Sequence, residues 1–318
     1  MPSHHLVRLF AALSLLATLG GARAEAVYPA SSRFGFEPPS DMAPSKRFMG
    51  FERAEGGAMV SVVELPGEAY PEVERSFTDE NLKGQGFAVE TREPVKVDQG
   101  GADAMLYVGE QPPQEGQATP PIRKWLLLVK GPDVTGIIVA QTTPGAETDQ
   151  TIRAMLTGVR IRPALSLDQQ VDSLPFRITE RAGFRPVRVL AGNSVLLTRG
   201  PKDQLVDLEQ PILVLAQAVQ QPPGQDQRDA FARAALYSNQ TMKDFQIERS
   251  QSYRQNGVDW HEIVARASDI PTGTPVVVTQ TIRFNPDGYL RSLGVVRADQ
   301  RDETLALFRE VVDNVQVK

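Results

Sequence analysis

Apolar and polar positions along the chain form two similar series of predicted elements. Each series opens with short apolar stretches around aromatic residues, continues through an apolar strand at 59–65 or 212–219, and then has a helix-like segment. Three or four strand-like stretches follow, and a helix with an apolar stripe ends each series. The stripes are Ile152, Met155, Leu156 and Val159 in the first series and Leu305, Phe308, Val312 and Val315 in the second. This spacing predicts that each helix covers a sheet and keeps a polar face in water.

Sequence landmarks recur in the same order in the two halves. The matched pairs are Phe87–Glu90 with Phe245–Glu248, Gly101–Ala104 with Gly257–Trp260, and the turn at Pro132-Asp133 with the turn at Pro286-Asp287. A shared order of landmarks is typical of an internal repeat. We therefore expect two copies with one strand order, in which Trp125 and Val276–Val278 lie on equivalent strands.

The helix in the middle of each series has recognisable end signals. Pro71 suits a first helical turn, Glu72 and Glu74 suit the positive helix N-terminus, and Gly84 and Gly86 are typical of its end. The counterpart helix is predicted to begin near Asp226 and to direct three residues toward the core: Phe231, Ala235 and Met242.

A polar segment without periodicity separates the two series and is preceded by Pro163. It predicts a domain at 25–163, a linker at 164–174 and a second domain at 175–318. Stretches rich in proline, glycine or polar residues at 111–121 and 222–225 predict loops, and 200–211 is interpreted as an insertion in the second half.

The predicted fold class is α+β, with two tandem α/β/α sandwich domains, each a mostly antiparallel sheet with two main helices. The opening segment Phe34–Pro39 (FGFEPP) and the strand–turn–strand–helix around Pro132-Asp133 and Pro286-Asp287 resemble PsbP/Mog1-like domains. The resemblance covers nearly all of each half and implies accessory or binding modules. It implies no shared catalytic motif.

The first 24 residues have the pattern of a secretory signal peptide. Arg8 precedes the uncharged apolar stretch Leu9–Leu19, and Ala22-Arg23-Ala24 supplies a small-x-small cleavage site. A transmembrane helix would need ~20 apolar residues, about twice this length. We predict cleavage before Glu25 and a periplasmic or secreted protein with no membrane span in its mature form.

Composition removes several classes of chemistry. The chain has 318 residues and no cysteine, which excludes disulfides, thiolate catalysis, iron–sulfur clusters and cysteine zinc sites. Its 34 basic and 39 acidic residues give a net charge of −5, and loss of Arg8 and Arg23 on cleavage gives −7, so nucleic acid is not the expected partner. His4 and His5 lie in the predicted signal peptide, which leaves His261.

A Ser–His–Asp site would have to use His261. Strand alternation places Trp260 and Glu262 on one face and His261 on the other. No serine lies in a glycine elbow beside it, since Ser194 lies in a predicted hairpin turn. A histidine at the surface or in a hydrogen-bond network is the favoured interpretation, and adjacent Ser45-Lys46 offer no special geometry for a dyad.

Other candidate sites have ordinary structural explanations. Asp98, Asp103 and Asp287 fall near turns and are the candidates considered for calcium, but aspartates are common in turns for backbone reasons. No phosphate-binding glycine loop is present, and the carboxylate pair Asp302/Glu303 suits a helix start. Five aromatic side chains could pack in the core or contact a ligand, and core packing is the favoured interpretation: Trp125, Trp260, Tyr107, Tyr253 and Tyr289.

We therefore predict no catalytic residue, no metal and no cofactor. The expected function is a non-enzymatic exported binding or accessory module of the cell envelope, whose partner is a protein or another envelope component. The alternatives are a hydrolase with carboxylates in an inter-domain groove and a carrier of a small apolar ligand. A cleft with convergent acids would favour the hydrolase, a large dry cavity the carrier, and an exposed apolar patch the binding module.

Overall fold

The computed structural model describes residues 25–113, 120–204 and 208–318. These residues form two seven-stranded antiparallel sheets and two short two-stranded ribbons, arranged as one sheet and one ribbon in each half of the chain. The predicted signal peptide lies outside the described residues. No helix within them is long and apolar enough to span a membrane.

The described residues of the first unit form nine strands and three α-helices. The strands are β1 (Phe34–Gly35), β2 (Met42–Pro44), β3 (Gly50–Arg53), β4 (Ala58–Pro66), β5 (Ala88–Val97), β6 (Ala102–Gln111), β7 (Ile122–Lys130), β8 (Val134–Thr142) and β9 (Arg160–Ile161). The helices are α1 (Tyr70–Ser76), α2 (Asp79–Gly84) and α3 (Asp149–Thr157). The sheet has the order β2-β3-β4-β8-β7-β6-β5, and β1 pairs with β9.

The second unit has the same plan. Its helices are α4 (Leu167–Asp172), α5 (Arg228–Tyr237) and α6 (Arg301–Asp313). Its strands are β10 (Phe176–Ile178), β11 (Arg185–Leu190), β12 (Ser194–Thr198), β13 (Ile212–Ala218), β14 (Met242–Gln255), β15 (Val258–Asp269), β16 (Pro275–Asn285), β17 (Gly288–Arg297) and β18 (Val315–Val317). The sheet order is β11-β12-β13-β17-β16-β15-β14, and β10 pairs with β18.

The two sheets have one strand order, which confirms the predicted tandem α+β fold. Trp125 on β7 and Val276–Val278 on β16 occupy the same, fifth, position of their sheets, as the repeat predicted. Each sheet is covered on both faces. On β7, Trp125 and Leu127 pack with α3, whereas Leu126 and Leu128 pack with α1 and α2. The strand is a continuous apolar run because it is buried on both sides.

The closing helices α3 and α6 cover corresponding faces. Ile152, Met155 and Leu156 are buried against the first sheet, and Phe308 and Val312 against the second. Both stripes extend past the helix ends, because Val159 follows the C-cap Gly158 and Val315 belongs to β18. Leu305 is only half-buried, and Val311, outside the predicted stripe, is buried instead.

The middle helices depart from the prediction in detail. In the first unit the helix breaks after Ser76 and restarts at Asp79, with Thr78 as the N-cap of α2. In the second unit α5 begins at Arg228 and buries Ala232 and Leu236 rather than Ala235. Met242 is buried in the core as predicted, but it lies beyond the helix, at the start of β14, because α5 already ends at Tyr237.

The segment predicted as a linker contains helix α4. Ser166 and Gln169 form a capping box at its start, and α4 packs beside β11. Leu174, at the end of this segment, is 1% exposed within the core of the second unit. The segment is therefore packed against the second sheet, and the domain boundaries themselves stay a prediction.

Candidate functional site

His261 lies on β15 in a polar cluster beneath helix α5. Its side chain is 2% exposed, and Nε2 lies 3.1 Å from Ser250 Oγ and 3.2 Å from Asp229 Oδ1. Nδ1 lies 2.8 Å from Ser252 Oγ. Alternation along β15 is as predicted, since Trp260 packs in the core on the α6 face and His261 faces α5. Of the two favoured interpretations, a histidine at the surface or in a hydrogen-bond network, the structure shows the second.

The hydrogen-bond partners of the imidazole show which of its two nitrogens carries the proton. Ser250 donates its hydroxyl hydrogen to Asp229 at 2.7 Å, so Nε2–H donates to the serine oxygen and to the carboxylate. Nδ1 then accepts from the exposed Ser252. Burial lowers the pKa of His261, and the carboxylate of Asp229 opposes that shift only in part. The ring is therefore neutral and fully hydrogen-bonded.

A serine, a histidine and an aspartate thus converge, as a hydrolytic triad requires, but at an outer strand of the sheet. The two serines are on edge strand β14, and none of the cavities described below is lined by these residues. Asp229 is also held by Arg233 at 2.7 Å, the largest cause of the lowered pKa of that carboxyl. These hydrogen bonds connect α5 to the sheet. The absence of a catalytic residue stays a prediction.

The other candidate residues from the sequence lie outside the His261 cluster. Trp125 is 1% and Trp260 6% exposed, so both belong to the core. Ser194 donates to Leu190 O at 2.9 Å at the end of the hairpin. Among the described residues, no group of three or more carboxylates or histidines is placed to hold a metal ion.

The calcium candidates show ordinary contacts. Asp98 accepts a hydrogen bond from Ile161 N at 3.3 Å, and Asp103 forms an ion pair with Lys96. Asp287 belongs to the two-residue turn between β16 and β17.

A groove lies between the two units. Its walls are the 45–49 loop, which connects β2 and β3, and the 191–193 turn of the β11–β12 hairpin. Ala191 and Gly192 both have positive φ, which fits the hairpin turn. A Cβ on Gly192 would lie 3.0 Å from Ala30 O, so glycine allows the hairpin to approach the first unit closely.

The groove consists of two adjoining cavities, whose linings share Arg47–Met49 and Ala191–Asn193. The first has a volume of about 470 Å³ and is lined by residues that include Lys46, Phe48 and Lys318. The second, of about 550 Å³, lies between β4 and β11. Val63 of β4 is 50% exposed and Leu190 of β11 is 41% exposed, and both line this second cavity.

Charge in the groove is mostly positive. The described residues that line the two cavities include three cations, Lys46, Arg47 and Lys318, and one acid, Glu64. The Glu64 carboxylate accepts hydrogen bonds from Ser32 Oγ and Arg33 N, both at 2.7 Å.

Two of these cations already have partners. The hydrogen bond from Arg47 lowers the pKa of Glu52, and Lys318 Nζ donates to Asp172 O at 2.6 Å. The ammonium of Lys46 has no ion-pair partner among the described residues.

Sequence reasoning named an inter-domain groove only as the site of the alternative hydrolase, and it did not find the residues that line this groove. Val63 belongs to an apolar strand and Leu190 to a predicted apolar stretch, and nothing in their local pattern separates them from core residues. Their exposure depends on where β3 stops and where the hairpin lies, which are tertiary features. The glycine at 192, in a tight turn, was the one local signal of a close approach.

No family model and no curated protein matches this sequence. Similar solved structures include the Ran-binding protein Mog1p of Saccharomyces cerevisiae, with 10% identity and a TM-score of 0.34 over 45% of this chain and 90% of that chain. They also include cyanobacterial PsbP of Synechocystis, with 12% identity and a TM-score of 0.32 over 45% of this chain and 87% of that chain. The immunity protein TplEi of Pseudomonas aeruginosa is similar over both units, with 10% identity and a TM-score of 0.33 over 92% of this chain and 97% of that chain. Mog1p and PsbP are thus among the similar structures, and they are the proteins that give the predicted PsbP/Mog1-like fold type its name. Identities and TM-scores at this level transfer no function.

Proposed function

We propose that the protein is a non-enzymatic binding module that takes a partner protein in the groove between its two units. The observation that carries the proposal is the pair of exposed apolar side chains, Val63 and Leu190, which face one cavity from different units. Of the large hydrophobic side chains in the described residues, five remain exposed, and these two share a site. A grouped apolar surface with a polar rim is typical of a protein interaction site.

The two alternatives have less support in the groove. A hydrolase of the glycosidase type needs two carboxylates on opposite sides of the substrate. The described lining of the two cavities supplies Glu64 alone, and that carboxylate is already hydrogen-bonded. A carrier of an apolar ligand would need a dry cavity inside one unit, whereas these cavities lie between the units and have charged residues in their walls.

Site-specific photocrosslinking tests the proposal directly. A photoreactive amino acid at Leu190 is compared with the same amino acid at Ile270, which is 47% exposed outside the groove. In cells that make the protein, we expect position 190 to give a discrete crosslinked protein band that is absent at position 270. Equal or absent crosslinking at both positions would contradict a partner in the groove.

We further propose that the protein acts in the cell envelope after export. The support is the pattern of its first 24 residues, whose apolar stretch is too short to span a bilayer. N-terminal sequencing of the exported form should give Glu25 as the first residue. Recovery of an uncleaved chain beginning at Met1, retained in the membrane pellet, would contradict export by cleavage.

A further inference from the structure

Strand β4 has an unpaired edge inside the groove. β3 pairs with β4 only from Met59 to Ser61, and one further backbone hydrogen bond runs from Val62 N to Met49 O at 2.8 Å. Beyond that point the chain departs into the 45–49 loop. β4 continues to Pro66 and pairs with β8 along its other side throughout.

Backbone alternation places the N–H and C=O of Glu64 on this open side. The amide of Val62 points toward β3, and backbone groups two residues apart along a strand point the same way. Val63 and Leu65 therefore direct their backbone groups to β8. Among the described residues, no strand pairs with Glu64 on the side toward the groove.

The second unit closes the corresponding edge. β12 pairs with β13 from Ile212 to Ala216, and Gln217 N donates to Asn193 O at 3.0 Å. The neighbour thus covers all of β13 except its last residue, whereas β3 leaves the second half of β4 uncovered. The two repeats differ at this edge, and the difference lies in the wall of the groove.

We infer that an extended, acidic segment of the partner protein adds to β4 as a strand at Glu64. The inference rests on the proposed function and specifies how the partner binds. An unpaired edge binds an extended chain through main-chain hydrogen bonds, and pockets beside it take alternate side chains. Val63 and Leu190 supply the apolar contacts in the second cavity. The ammonium of Lys46, in the adjoining first cavity, supplies the charge that an acidic side chain further along the segment would pair with.

A library of random decapeptides displayed on phage serves as the probe. We expect the intact protein to enrich peptides that lack proline, carry acidic residues and alternate apolar positions. Affinities of the enriched peptides are then measured by fluorescence anisotropy. Glu64→Pro removes the amide that points into the groove, and Glu64→Ala is its matched control, since both lose the carboxylate contacts. Glu64→Pro should bind about tenfold more weakly than Glu64→Ala, the loss expected for a hydrogen bond and a clash at the pairing edge.

Two further measurements keep the test decisive if Glu64→Pro does not fold. In the unmodified protein, the Glu64 amide should exchange with solvent rapidly and become protected when an enriched peptide binds. Lys46→Glu should weaken binding several-fold, whereas Lys243→Glu, the same change on the exposed edge strand β14, should not.

The outcomes separate the inference from the proposed function. If Leu190→Asp abolishes peptide binding but the Glu64 amide stays unprotected and Glu64→Pro matches Glu64→Ala, strand addition is wrong and the groove remains the site. If Leu190→Asp binds as well as the original protein, the groove itself is not the site. A library that yields no binder also overturns strand addition.

Discussion

At the residue scale, His261 combines burial with a complete set of hydrogen-bond partners. Because burial lowers its pKa in the folded state, the unfolded chain takes up a proton first as pH falls. The contribution of His261 to stability is therefore fully present above its ordinary value of 6.5 and is lost as pH falls below it. Protonation would also add a hydrogen at Nδ1, where the present geometry needs an acceptor for Ser252.

Urea unfolding at pH 7.5 and 5.5 checks this expectation. The original protein should lose more unfolding free energy between the two pH values than His261→Gln, which has no group that titrates there. At pH 7.5, His261→Ala should cost about 1–3 kcal/mol because it removes a buried side chain together with its hydrogen bonds. A variant as stable as the original at both pH values would show that His261 is an ordinary strand residue.

Glycines on the central strands β8 and β17 allow aromatic rings to pack directly on the sheets. A Cβ on Gly136 would lie 2.4 Å from the Phe34 ring, and a Cβ on Gly294 would lie 2.6 Å from the Phe308 ring. Gly294→Ala should therefore destabilise the protein by about 1–3 kcal/mol through overpacking. Gly84→Ala is the control, since no atom lies near that Cβ and the change should alter stability by well under 1 kcal/mol. Equal denaturant midpoints for the two variants would contradict this account.

At the element scale, one hydrogen bond joins strand β7 to helix α3. Trp125 Nε1 donates to Asp149 Oδ1 at 2.8 Å, while Asp149 also pairs with Arg153 one turn later. A double-mutant cycle of Trp125→Phe and Asp149→Ala should give a coupling of about 1–2 kcal/mol because the indole is buried and its acceptor is charged.

A second double-mutant cycle, of Arg153→Ala with Asp149→Ala, provides the coupling energy with which the first is compared. This pair is partly exposed, so its coupling should be only about 0.3–0.5 kcal/mol. If the Trp125 cycle gives no larger coupling than the Arg153 cycle, the bond does not hold the helix to the strand.

Elements in which apolar residues recur with a clear helical or strand period could be predicted from the sequence. Elements whose position depends on tertiary contacts could not. The apolar stripe predicted α3 because Ile152, Met155 and Leu156 lie on one helix face and must be buried together. Helix α4 was missed because its six residues bury no side chain fully, and its signal is the capping pair Ser166 and Gln169. Of the inward residues predicted for α5, Phe231 packs against the core, but Ala235 was chosen in place of the buried Ala232 and Leu236. The helix has only ten residues, and its rotation depends on the sheet below it.

At the scale of the whole molecule, the repeat was visible in the sequence and the groove was not. The shared strand order follows from landmarks that recur in each half. The groove depends on a difference between the copies: β12 covers β13, while β3 stops short on β4. Apolar patterning reports which residues need burial, and it cannot report which neighbouring strand is missing.

Within the described parts of the chain the two units share no strand, and each has its own buried clusters on both faces of its sheet. Direct contacts between them include the hydroxyls of Ser31 and Ser173 at 2.6 Å. We therefore predict that residues 25–163 and 164–318 each fold when produced alone. Each piece should show near-ultraviolet circular dichroism and a single cooperative transition in urea.

The choice of 164 rather than 175 as the second starting point follows from Leu174. Its buried side chain and helix α4 both pack with the second core, so a piece that begins at 175 should be less stable by about 2–5 kcal/mol, the cost of losing a buried leucine. A piece of residues 25–130, which lacks the central strand β8, serves as the negative control and should not unfold cooperatively. If residues 25–163 or 164–318 behave like that control, the two units depend on each other for folding, and the groove is then part of one continuous core.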